Sequence, residues 1–421
     1  MKIGVFEDAG VDLLEPIALT RPAFALRCGA STMLERQQRV LGAKEIGAWV
    51  RPALAELARL VHPAMPINDS DWRPNVWVNA RWLPPANADL DAAPPGVGLV
   101  GQEVAYVVTP PVALLDHPGD VNNWIALCKS ELPHVTADGT MIDYLWDAVD
   151  RNGDALIQDW QWFQQLHGAI KNPGIAVIGP SEQLVVANDA TIEPFVSADT
   201  RHGPVLIDRG AVVQSFSRLE GPCYIGQESW ILGANLRGGS SIGPRCRIGG
   251  EVEASIVHAN SNKYHEGFLG HSYVGEWVNL GAATQTSDLR NDYGTVRVAI
   301  NGQRLSTGRT KVGSYLGDHT KTGLGALLNT GSVVGAFCNL LPSGTLLPAI
   351  VPSFCEVNYG AVRERFDLRQ VFTTATTVMH RRGCEFTESH RDFFYTLFEQ
   401  TADRRRKTVH DAEIRRLKRS V

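Results

Sequence analysis

No apolar stretch in this chain is long enough to cross a membrane as a helix. No long apolar region stands near its start either, where MKIGVFEDAG runs straight into a strand-like segment. The first absence excludes a helical membrane protein, and the second gives the expectation of a cytoplasmic one. The seven cysteines are odd in number and none stands in a CxxC pair, which fits a reducing compartment rather than a paired-cysteine framework. Charge is modest: 20% Asp, Glu, Lys and Arg with a net charge of −5. That is ordinary for a globular protein and carries no nucleic-acid signature. The opening strand is not followed by a Gly-rich phosphate loop; Gly10 is alone there, and the basic residues of the segment are Arg21 and Arg27. No pair of carboxylates can be assigned to a metal, so metal ligands are left open.

What the chain does have is a six-residue rhythm. Leu316, Thr322, Leu328, Val334, Leu340 and Leu346 fall at constant intervals, with small residues four places after each of the first five: Thr320, Ala326, Ser332, Cys338 and Gly344. An earlier run repeats the pattern with Ile207, Val213, Leu219, Ile225 and Ile231, followed by Ala211, Ser217, Cys223, Ser229 and Asn235. Neither a helix nor an ordinary strand repeats every six residues. A β-solenoid does, because each short strand contributes one inward aliphatic residue and each corner one small residue. Cys223, Cys246 and Cys338 stand at small-residue places and are read as packing. The 40 glycines and 23 prolines suit a fold made largely of turns.

At 421 residues the chain has room for two or three domains. Residues 1–168 mix an opening strand (MKIGVFE), helical stretches over 33–60, 118–131 and 142–168, and a strand at VWVNARWLP, which predicts an α/β layer. The pattern changes at KNPG, 171–174, and a solenoid domain is expected over 169–360. Its register slips near 237–241, a larger break is expected over 254–267, and the largest over 287–309 reads as a hairpin with Asn301-Gly302 at its tip. Residues 361–421 read as a helical segment. Its last part, 401–421, holds eight Lys and Arg against Asp403, Asp411 and Glu413, which we take as a solvated or subunit-docking face rather than a nucleic-acid arm.

The stretch KYHEGFLGHSYVGEWVNLGAAT, 263–284, contains Gly270-His271, Tyr273-Val274-Gly275 and Asn279-Leu280-Gly281-Ala282, followed by Ser287-Asp288-Leu289-Arg290-Asn291. These elements resemble the acetyltransferase half of the bacterial bifunctional N-acetylglucosamine-1-phosphate uridylyltransferase/glucosamine-1-phosphate acetyltransferases. The segments LTRPAFALRCGAS and VNARWLP resemble a divergent branch of sugar nucleotidyltransferases joined to the same helix. The resemblance implies a left-handed parallel β-helix, a homotrimer, acetyl-CoA as co-substrate, and sugar phosphate and nucleotide as small-molecule partners, with no membrane. It implies His271 as the catalytic base, Tyr273, Asn279 and Asp288 at the sugar, and Gly281 and Ala282 at acetyl-CoA; Lys263, Arg290, Arg309 and Lys311, which flank the two breaks around His271, are expected to neutralise the sugar phosphate. If nucleotidyl transfer is retained, Arg21 and Arg27 are expected to bind the nucleotide, with Mg²⁺. On its own terms, His271 falls at an outward place in its hexad, beside glycine, and a histidine titrates in the right range to take a proton from an attacking amine. His265 and His319 are its rivals. The function implied is amino-sugar nucleotide biosynthesis by acetyl and uridylyl transfer. The alternatives are an acyltransferase alone, acting on another sugar, and a non-catalytic scaffold that binds a sugar nucleotide.

Overall fold

The computed structural model describes residues 1–110, 120–168, 174–365 and 367–419. The changeover at 171–173 and the first two residues of the helix expected from 118 lie outside them, as do the side chains of Arg415, Arg416, Lys418 and Arg419. The chain forms two compact units: Met1–Leu14, Ala18–Leu26 and Ser31–Tyr144 make one, and Glu15–Ile17, Arg27–Ala30 and Leu145–Val421 the other.

The first unit is built on a six-stranded sheet. Its strand order is Glu45–Trp49, Lys2–Phe6, Val76–Asn79, Glu103–Val108, Gly96–Val100, His134–Thr136. The opening strand pairs in parallel with both neighbours, and Glu103–Val108 is antiparallel to both of its own. Phe6, Trp77 and Trp124 meet edge to face on one side, with ring centroids 5.5 and 5.6 Å apart, which favours burial beyond area alone. Trp124 comes from α3 (Val121–Glu131). The two helical pieces expected within 33–60 form, with a strand between them. Helix α1 (Met33–Val40) and helix α2 (Ala55–Val61) flank the strand Glu45–Trp49. Helix α1 starts at Thr32 because its hydroxyl and the Glu35 carboxylate cap each other's backbone N–H groups.

The second unit is a parallel β-solenoid of about ten turns, the left-handed β-helix that the resemblance implies. Three sheets run along it. Ile207, Ile225 and Ile242 stack on one; Val213, Ile231 and Ile248 on the next; Leu219, Leu236 and Val252 on the third. All nine are buried in a single core. Corner residues take positive φ whatever their type, including Glu228, Arg245, Trp277 and Phe337 at 57°, 55°, 59° and 58°.

The rhythm breaks where edges shorten. Ile231 to Leu236 spans five residues, so the slip begins before 237. The break expected over 254–267 is not an interruption: Ile256–Ala259, Asn262–Lys263 and Phe268–Gly270 continue the three sheets in register. It looked like one because Lys263 takes the inward place stacked on Ile248. At the end of the run Leu346 is 58% exposed and Leu347, buried, takes the inward place. The expected hairpin forms: Arg297–Ile300 pairs antiparallel with Gln303–Ser306, and Asn301 and Gly302 both take positive φ, 51° and 80°, as a tight primed turn needs.

Helix α4 (Leu145–His167) belongs to the solenoid unit, where Leu156 and Phe163 pack against Val185, Leu206 and Tyr224. Strand Ala361–Glu364 turns back on Cys355–Asn358 before helices α5 (Leu368–His380), α6 (Glu388–Gln400) and α7 (Ala402–Arg419). In α7, Arg405 is buried on Glu364 and the Phe398 ring, so one of the tail's cations is structural. Cys223, Cys246 and Cys338 are fully buried. Burial pushes the Cys246 and Cys338 thiols up to about 12, which leaves them unreactive.

Candidate functional site

His271 sits at a corner of the solenoid, between strands Phe268–Gly270 and Tyr273–Glu276. Its φ of 45° is the corner conformation of this fold rather than a local strain. Its backbone N–H donates to Glu253 and its carbonyl accepts from Gly313, so two neighbouring coils hold the residue. The imidazole is partly exposed, and its Nδ1 lies 2.8 Å from Oδ2 of Asp288. A carboxylate only accepts, so Nδ1 carries the proton and Nε2 of the neutral ring keeps its lone pair.

Asp288 reaches His271 because the chain leaves the solenoid at 287–309 and folds back over the corner. Its backbone carbonyl accepts from Val312, and Leu289 bridges to Lys311. Burial raises the Asp288 carboxyl, but the His271 hydrogen bond and the charges of His271 and Lys311 outweigh it and hold the group below the usual carboxylate range. Gly270 makes the approach possible: a Cβ there would fall 2.7 Å from Oδ2 of Asp288 and 2.4 Å from the Phe268 ring. The Gly-His pair therefore has a steric reason. Sequence reasoning placed Asp288 among the sugar contacts and missed its pairing with His271.

The other expected residues separate into three groups. Lys263 and Tyr273 lie inside the solenoid instead of at its surface. Lys263 is 4% exposed and its Nζ donates to the carbonyls of Gly249 and His265, at 2.6 and 3.2 Å. Burial, against the charges of Glu266 and Glu251, lowers its amine to about 8. The Tyr273 hydroxyl accepts from the Arg27 N–H at 2.8 Å and hydrogen-bonds its carbonyl at 3.2 Å. Arg290, Arg309 and Lys311 stand near the surface with internal partners. Arg290 pairs with Asp292, Arg309 with Asp150 and Asp147 of α4 at 2.6 and 3.2 Å, and Lys311 with Glu253 at 3.4 Å. Asn279 is on another sheet of the solenoid and lines a separate cavity. Gly281 and Ala282 follow it at a corner, where a Cβ on Gly281 would strike the backbone of Thr322 and Gly323 at 2.7 Å.

Of the rival histidines, His265 is exposed. His319 is buried and stacks on Phe337, centroids 4.6 Å apart and planes within 9°, which gives it a packing role.

Arg21 and Arg27 fall in different compact units, and both are buried. The Arg27 guanidinium donates to Ala30 and lies over the Tyr224 ring. After the opening strand, Glu7 pairs with Arg51 at 3.1 Å, and Asp8 pairs with the buried Arg81 at 2.7 Å. Arg81 also binds Glu103 and Asp143, at 2.9 and 2.5 Å. Burial works against the Arg81 charge, but Asp8 and Asp143 hold its pKa above the ordinary value. Gly10 packs on that guanidinium, where a Cβ would fall 2.3 Å away, and its N–H donates to Asp8. These acids converge on an arginine, and among the described residues no three His, Cys, Asp or Glu form a metal-sized group. Asp8, Glu103 and Asp143 are engaged by Arg81, so none of these three stands free to hold the expected Mg²⁺.

Comparison with known proteins adds the following. Residues 3–167 match the model of the sugar nucleotidyl transferase family. A bifunctional sugar-1-phosphate nucleotidylyltransferase/acetyltransferase of Sulfurisphaera tokodaii is 35% identical over 23% of this chain and 24% of its own. A bifunctional protein GlmU of a Jannaschia species is 29% identical over 44% of this chain and 41% of its own. The chain thus spans about a quarter and two fifths of the lengths of these curated relatives. An Arabidopsis UDP-N-acetylglucosamine acyltransferase of known structure matches at 12% identity and TM-score 0.22, over 55% of this chain and 91% of that one, a likeness too distant to bear on activity. The N-terminal part, 3–167, thus matches the sugar nucleotidyl transferase family, and parts of the chain are similar in sequence to bifunctional nucleotidylyltransferase/acetyltransferases.

Proposed function

We propose that this chain is a transferase of amino-sugar nucleotide biosynthesis. Its β-helix acetylates the amine of glucosamine-1-phosphate from acetyl-CoA, and its N-terminal domain joins the product to a uridylyl group, giving UDP-N-acetylglucosamine. The observation that carries the acetyl-transfer reading is the His271–Asp288 pair, 2.8 Å apart at a partly exposed corner. The sugar amine attacks the thioester carbonyl directly. A C–N bond forms, the C–S bond breaks with its electron pair leaving on sulfur, and the amine proton passes to Nε2 of His271. Asp288 fixes the tautomer that leaves Nε2 open and stabilises the imidazolium that forms. The backbone N–H of Ala282, at the corner after Asn279 in a neighbouring copy, serves the developing oxyanion. Arg290, Arg309 and Lys311 meet the sugar phosphate by exchanging a carboxylate partner for it, and Asn279 contacts the sugar from a neighbouring copy. That last assignment requires the homotrimer, because Asn279 and His271 occupy different sheets of one solenoid. The working compartment is the cytoplasm.

A second reading, acyl transfer alone, is favoured by one observation. The place after the opening strand where phosphates would be cradled holds Glu7 and Asp8 around Arg51 and Arg81, and carboxylates there repel phosphate. One experiment separates the two. Purified protein is given acetyl-CoA with a panel of amino-sugar phosphates, then each nucleoside triphosphate with Mg²⁺ or Mn²⁺. Thiol release followed by pyrophosphate release supports the bifunctional reading. Thiol release alone leaves the acyltransferase, and neither leaves the scaffold.

A further inference from the structure

A cavity of about 490 Å³ lies on the solenoid sheet that carries Asn279, covered by the end of α5 and the residues after it. Four cations line it: Arg247, Lys321, Arg381 and Arg382, with no carboxylate in the lining. Among the described residues none of the four forms an ion pair with an acid. Their hydrogen bonds go to neutral oxygens. Arg247 donates to the carbonyls of Glu228 and Cys246, both at 2.9 Å. Arg382 donates to Oδ1 of Asn262 at 2.8 Å. Lys321 donates to the carbonyls of Trp277 and His319, both at 3.1 Å, which leaves its third N–H unassigned. Arg247, Lys321 and Arg382 are thus held in place, and each keeps donor capacity.

Gathering like charges in a partly enclosed space is unfavourable unless an anion compensates them. Burial and then the Arg382 charge lower the Arg247 pKa, and burial and then the Arg365 charge lower Lys321 to about 8. Other arginines of this unit are matched by acids, Arg237 by Glu251 and Glu253 and Arg309 by Asp147 and Asp150. The aromatic surfaces of Trp277 and Tyr264 complete the lining.

We propose that this cavity binds the diphosphate of a nucleotide-type ligand, with Arg247, Lys321, Arg381 and Arg382 facing the phosphates and Trp277 and Tyr264 beside the base. A single phosphate would leave about half of the positive charge unmet, and a diphosphate spans it. Guanidinium groups suit phosphate oxygens because they donate in pairs. The site is on a different sheet from His271 and does not depend on that residue's role. It shares Asn279 with the sugar contacts proposed above, so Asn279 is left unchanged in the test.

The test is calorimetric binding of inorganic pyrophosphate, UDP and coenzyme A to the full chain and to two variants, Arg381→Gln/Arg382→Gln and Arg247→Gln. Circular dichroism serves as the folding check. The wild type is expected to bind pyrophosphate and at least one of the two nucleotides. Each removed cation should weaken binding about tenfold to a hundredfold, as loss of a charge-assisted hydrogen bond does. UDP without coenzyme A identifies a nucleoside diphosphate, and the reverse identifies the coenzyme. His271→Ala should bind as wild type does, even where acetyl transfer fails. The proposal is overturned if no probe binds the wild type at millimolar concentration, or if both folded variants bind as tightly as the wild type.

Discussion

Replacing Asp288 by Asn keeps the size of the side chain and removes its charge. The carboxylate lies 2.8 Å from Nδ1 of His271 and its side chain is 12% exposed, so little solvent weakens the contact. A hydrogen bond to a charged group in such a place contributes about 1.5–3 kcal/mol. The imidazolium formed as the amine loses its proton loses that much stabilisation, which is about tenfold to a hundredfold in kcat. Asparagine can also donate to Nδ1 and turn the ring to the tautomer whose Nε2 is protonated, which adds to the loss. The KM for the sugar should change little, since the ground state does not need the imidazolium. The assay is thiol release from acetyl-CoA at saturating sugar, with circular dichroism to confirm the fold. The stability difference from wild type should also depend on pH. The folded Asp288 carboxyl lies below its ordinary value of 3.8, so its contribution is complete above that value and is lost as pH falls through the folded one. A folded Asp288→Asn variant with unchanged kcat would refute the pairing as a catalytic device.

Gly270→Ala should lower kcat by tenfold or more in a folded protein, because the new Cβ would stand 2.7 Å from Oδ2 of Asp288 and push it off His271; kinetics beside a melting curve check this. Lys263→Met tests the buried amine, whose folded value of about 8 lies below its ordinary 10.5. A gap of that size is roughly 3 kcal/mol, and because the unfolded chain holds the proton more tightly, wild-type stability rises as pH climbs from about 8 to the ordinary value. The Met variant should lack that rise, and parallel urea melts of the two proteins across this range would contradict it.

Much of the solenoid is legible in the sequence because its core is a one-dimensional pattern. An aliphatic residue every six places needs no knowledge of what lies across the coil. Legibility fails where geometry changes the count. Five-residue edges such as Ile231 to Leu236 move the register, and Lys263 hides a regular turn because a lysine at an inward place is settled only by the carbonyls it finds. The Gly-His pair is visible as a motif, but its partner is not. Asp288 comes within 2.8 Å of His271 only because the 287–309 excursion folds back on the corner. The strand Glu45–Trp49 is concealed between two helical patterns and is fixed by pairing with Lys2–Phe6. The four cations of the Asn279 cavity are spread from Arg247 to Arg382, and no spacing rule joins them.

The central claim is that His271 takes the proton in acetyl transfer, and one comparison tests it most directly. Initial rates of thiol release from acetyl-CoA with glucosamine-1-phosphate are measured for the wild type, His271→Ala and the exposed control His265→Ala, all shown to be folded. The account predicts a loss of about 10²–10⁴-fold for His271→Ala and wild-type rates for the control. A His271→Ala protein that turns over at close to the wild-type rate would contradict it.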